Sequence, residues 1–138
     1  MHIPKYTNEE NLYYENLLKK VSKEISLPET ITDRWLCVDE RSRMLWYFVS
    51  KELKNSPESY LRFKENLNSW KNNKEDFYWY KKWIVIVKEI DDNKSFDILY
   101  ENSERMQQLR SRSPLGKSVI LDEKLRYKII TFINNRIK

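Results

Sequence analysis

Two groups of residues in this chain have the types and spacing to do chemistry. The first is Gly116-Lys117-Ser118, which ends the run SRSPLGKS (111–118) and holds the chain's only glycine. Glycine, lysine and a hydroxyl in that order close the phosphate-binding loop of nucleotide hydrolases, where backbone amides and the lysine cradle the phosphates. Here Ser111 stands where that loop has its first glycine, and the preceding SERMQQLR is polar and helix-forming. The motif requires a buried strand at that place, so a nucleotide cradle is not expected. The residues read instead as a helix-to-helix connector, in which Pro114 stops one helix and Gly116 gives the backbone freedom to turn. Arg110, Arg112 and Lys117 stand among Ser111, Ser113 and Ser118, a mixture that suits contact with phosphates or carboxylates.

The second group is Asp97 with Asp122-x-Lys124, the latter following the apolar run Val119-Ile120-Leu121. Two acids holding magnesium, with a lysine beside the scissile phosphate, is the arrangement of a metal-dependent nuclease. It demands strands at both places, and both lean helical. Other chemistry is scarce. His2 is the only histidine and lies beside the terminus, which removes the commonest general base. Cys37, the only cysteine, excludes an internal disulfide and a thiolate metal cage, and beside Trp35 and Leu36 it reads as a small core residue. Asp39-Glu40 and Asp122-Glu123 fall at expected helix starts, where capping and the helix dipole account for them. No enzyme activity, cofactor or metal is expected.

The elements that would position these residues are helices. A single glycine and four prolines leave little turn chemistry for a sheet. Thr7 and Glu10 have capping-box spacing, and Tyr14, Leu17, Leu18, Val21 and Ile25 follow on one helical face until Pro28. Asp39 is the expected cap of a second helix reaching about Lys54, with Leu45, Phe48 and Val49 inward. Ser56-Pro57-Glu58 starts a third, which buries Tyr60, Phe63, Leu67 and Trp70. In KEDFYWYKKWIVIVKEI (74–90) the β-branched run invites a strand. The polar pairs Lys74/Glu75, Lys81/Lys82 and Lys88/Glu89, seven residues apart, require a helix. Ile84 then lies in the core with Phe77, Tyr80 and Val87, while Tyr78 and Val85 fall on the charged face. Asp91–Lys94 is a turn, and Ser95 caps a fifth helix with Phe96, Leu99, Tyr100 and Met106 inward. Asp122 caps the last helix, with Leu125, Ile129, Phe132 and Ile133 inward. The expectation is an all-α fold, one compact domain over residues 1–138 with five to six helices. The alternative is α+β, with a hairpin at about 83–100.

With 40% hydrophobic and 34% charged residues the chain is globular rather than disordered. The opening MHIPKYTNEEN lacks the apolar segment of a secretory leader, and the longest aliphatic run, Trp83 to Val87, is too short to cross a bilayer. A cytoplasmic protein without membrane contact is expected. The net charge of +5 is unevenly placed: after Glu104, nine basic residues face two acids. Such an excess favours an anionic partner. The leading expectation is therefore a small non-enzymatic interaction protein, a regulator, inhibitor or accessory subunit. It would dock on an acidic protein through its basic C-terminal quarter, with Tyr78 and Val85 as a second patch. The alternative is a nucleic-acid-binding module in which Arg105, Arg110, Arg112 and Lys117 contact phosphates; the metal-dependent nuclease comes third.

Overall fold

The computed structural model describes residues 3–137, so the expectation for His2 lies outside the described residues. Among the described residues six α-helices follow one another: α1 (Asn8–Glu24), α2 (Arg34–Asn55), α3 (Pro57–Ser69), α4 (Lys74–Asn93), α5 (Glu104–Ser111) and α6 (Glu123–Asn134). Trp70–Asn72 and Asp97–Tyr100 form short 3-10 turns. The fold is all-α. Among the described residues the only β-type feature is an isolated bridge between Ile31 and Ile137, and α4 runs unbroken through the place where a hairpin would begin. The chain divides into two compact units, Met1–Trp46 with Leu121–Lys138, and Tyr47–Ile120.

In the first unit α1 starts at the expected capping box. Thr7 Oγ1 accepts from the Glu10 amide at 3.1 Å, and Glu10 Oε1 accepts from the Thr7 amide at 3.0 Å. Leu18 and Val21 of α1 and Ile129 and Ile133 of α6 are buried, the latter pair on the stripe expected of the last helix. Asp122 caps α6 by accepting from the Lys124 amide at 2.7 Å. The start of α2 differs from expectation. Asp33, not Asp39, stands at its head, its carboxylate accepting from the Trp35 amide at 2.9 Å. Asp39 and Glu40 are buried inside the helix, and Glu40 pairs with buried Arg43 at 3.0 Å. The misplacement arose because Trp35, Leu36 and Val38 are exposed, so the apolar period that marks a helix start begins only further on.

In the second unit Ser56 and Pro57 open α3 as expected, Ser56 Oγ accepting from the Ser59 amide at 3.2 Å. Phe63 and Leu67 are fully buried, while Tyr60 and Trp70 are half-buried. Trp83 is the centre of this core. It meets Phe63 edge to face with ring centroids 5.7 Å apart, and its indole N–H donates to the Arg112 carbonyl at 2.6 Å. The expected fifth helix is two pieces: a 3-10 turn over Asp97–Tyr100, then α5 with Ser103 rather than Ser95 at its cap. The break does not change which side chains go inward, since Leu99 and Met106 are both buried.

Candidate functional site

Ser111 ends α5, and the rest of the run, 112–118, opens the segment that connects α5 to α6. Gly116 has φ +52°, a left-handed conformation that glycine adopts without penalty, and a Cβ there would lie 2.8 Å from the Asn66 amide nitrogen. The connector is held to its unit rather than hanging free. Asn66 donates to the Leu115 carbonyl at 3.3 Å, and Pro114 and Ser118 are buried.

The basic residues around this connector do not share one fate. Arg110 is buried, only 6% exposed, with Nη1 donating to the carbonyls of Leu99 at 3.2 Å and Glu101 at 2.9 Å. Its expected place on an exposed contact loop is therefore corrected: the guanidinium is an internal tie. The cause is the break after the 3-10 turn, which leaves carbonyls without helical donors, and Arg110 supplies them. Arg112 is exposed and forms an ion pair with Asp76 of α4. Arg105 lies 3.3 Å from carboxylate oxygens of both Glu89 and Glu101. Burial works against its charge, but the hydrogen bonds to the two glutamates outweigh this and raise its pKa. Lys117 is exposed.

The two apolar residues assigned to the polar face of α4 are exposed, Tyr78 by 55% and Val85 by 53%. Ile84, expected in the core, is 41% exposed, as is Phe77; the buried stripe is Trp83, Ile86, Val87 and Ile90. The exposed arc of α4 is centred one step away from the expected one. Lys82 is half-buried, with its ammonium 4.6 Å from the centre of the Tyr78 ring. Glu89 is half-buried because it pairs with Arg105 of α5. The outward arc is consequently Phe77, Tyr78, Lys81, Ile84, Val85 and Lys88, which recur at helical spacing. Beside it, α4 and α5 enclose a groove of about 250 Å³ lined by Lys82, Val85, Ile86, Arg105, Gln108 and Leu109.

One exposed cluster was missed in the sequence. Trp35 at the head of α2 is 83% exposed, with Leu36 and Val38 beside it, while Cys37 between them is buried. The signal available was Asp33: a cap there puts Trp35 in the first helical turn, beyond the reach of the core. Asp97 and Asp122, the acids of the nuclease arrangement, begin a 3-10 turn and cap α6, where that arrangement needs strands. Among the described residues no three histidine, cysteine or acidic side chains are grouped as a metal would require, and no helix is long and apolar enough to cross a membrane. No protein-family model, curated protein or solved structure matches the chain.

Proposed function

We propose that the protein is a non-enzymatic helical interaction protein that docks on an acidic protein partner through the outward face of α4. The carrying observation is that one helical arc leaves Phe77, Tyr78, Ile84 and Val85 exposed in register with Lys81 and Lys88. Apolar side chains cost free energy in water, so four on one face, interleaved with cations, favour a partner that is apolar at the centre and acidic at the rim. The adjoining groove adds a socket for one apolar anchor, walled by Val85, Ile86 and Leu109 and rimmed by Lys82 and Arg105.

The nucleic-acid reading draws less support. Of the four cations assigned to phosphates, Arg110 is turned inward, and Arg105 and Arg112 are paired with carboxylates of their own unit. Binding by the α4 face is tested with the protein as bait for its partner from native cells, comparing wild type with Tyr78→Ala/Val85→Asp. Retention should fall at least about tenfold in the variant, persist after nuclease treatment and change little with salt. Unchanged retention by the variant, or a log-linear loss with salt at a slope near −0.9 per phosphate, would refute the proposal.

A further inference from the structure

We propose that the cleft between α1 and α6 binds a small phosphorylated ligand. The cleft has a volume of about 400 Å³, within the usual range of about 300–1000 Å³ for small-molecule sites. Leu18 and Phe132 give it apolar walls, and Lys19, Lys128 and Arg136 bring three cations to it against one acid, Glu15. Lys128 and Phe132 of α6, four residues apart, share one helical face, and Arg136 follows just beyond the helix end.

Two of these cations, Lys128 and Arg136, are held in place without being neutralised. Lys128 Nζ donates to the side-chain oxygen of Asn11 at 2.6 Å and lies 4.5 Å from the centre of the Tyr6 ring. Arg136 donates to the Pro28 carbonyl at 2.8 Å and to Ser22 Oγ at 3.2 Å, with its guanidinium 4.6 Å from the centre of Phe132. All these acceptors are neutral. Among the described residues no carboxylate pairs with Lys19, Lys128 or Arg136, whereas Lys124, one turn earlier on α6, is matched by Glu10 at 2.6 Å. Three like charges around one cleft repel each other, and a bound dianion relieves that repulsion while using the N–H groups left over. The apolar walls accept the rest of the ligand, which separates this cleft from a bare phosphate contact.

The test is calorimetric titration at low salt with adenosine monophosphate, adenosine and a short single-stranded oligonucleotide as probes. The monophosphate should bind saturably, one per chain, and adenosine should not. Lys19→Glu, at an exposed position in the cleft, should weaken binding at least about tenfold, since it replaces an attraction by a repulsion. Lys20→Glu makes the same change of net charge outside the cleft and should stay within about twofold. Absence of saturable monophosphate binding, equal binding of adenosine, or equal effects of the two charge reversals would overturn the proposal. So would Lys19-dependent binding of the oligonucleotide alone, which would make the cleft a contact for a polymer backbone.

Discussion

Replacing Arg110 by alanine removes a buried guanidinium that donates to two main-chain carbonyls, those of Leu99 and Glu101. A buried acceptor left without its donor costs about 1–3 kcal/mol. The Leu99 bond is buried, whereas the Glu101 carbonyl keeps a second donor, the Ser103 amide at 3.0 Å. The loss at Leu99 alone gives a destabilisation of about 1–3 kcal/mol. Arg112→Ala removes a side chain of the same type two residues away, but from an exposed ion pair with Asp76, so about 0–1 kcal/mol is expected. Urea unfolding followed by tryptophan fluorescence compares the two directly, because Trp83 lies in the core of this unit and bonds the Arg112 carbonyl. The midpoint should shift strongly for Arg110→Ala and barely for Arg112→Ala, with unchanged slopes. Arg110→Lys should fall between them, since an ammonium keeps the charge but not the planar fork. If the two alanine variants agree to within about 0.5 kcal/mol, Arg110 is a surface residue in solution and the internal-tie argument fails.

Two further predictions concern the core face of α4 and the contact between α1 and α6. Ile86→Ala should cost about 2–5 kcal/mol because Ile86 is 2% exposed, whereas Ile84→Ala, on the outward arc, should cost under about 1 kcal/mol; the reverse order in urea melts would show the face to be misassigned. The hydrogen bond from Lys124, then that from the Thr7 amide, lowers the Glu10 pKa below 4.5, so the pair's stabilisation is present above pH 4.5 and is lost as pH falls through the lower folded value. Glu10→Gln keeps the capping box, so its difference in melting temperature from wild type should be largest near neutral pH and vanish in acid; a constant difference would show that the charge contributes nothing.

The helix starts that were legible in the sequence are those whose signal is local. Thr7 with Glu10, Ser56 with Pro57, and Asp122 each satisfy their own amides within three residues, so nothing distant can overrule them. Between Ser95 and Ser103 the choice was not local. Either serine can cap, and the outcome depends on burying both Leu99 and Met106, which one continuous helix and a broken one satisfy equally in a pattern of residue types. The inward turn of Arg110 then depends on carbonyls that exist only because of the break. Charge type marks arginine as a surface residue, and that prior is overruled here by main-chain acceptors eleven and nine residues upstream.

The same distinction bears on the basic excess after Glu104, which is a property of the sequence and not of any one surface. Arg105, Arg110 and Arg112 are engaged within the second unit, by carboxylates or by carbonyls. Lys124 is engaged by Glu10 in the first. An ion pair of that kind presents little net field to a partner at a distance, since its opposite charges screen each other within a few ångströms. Among the described residues, the cations without a carboxylate partner include Lys81 and Lys88 on the outward arc of α4, Lys117 in the connector, and Lys19, Lys128 and Arg136 around the α1–α6 cleft. On the proposed reading, the partner surface is set by which cations the fold leaves without a carboxylate, and on α4 Lys81 and Lys88 stand among exposed apolar side chains.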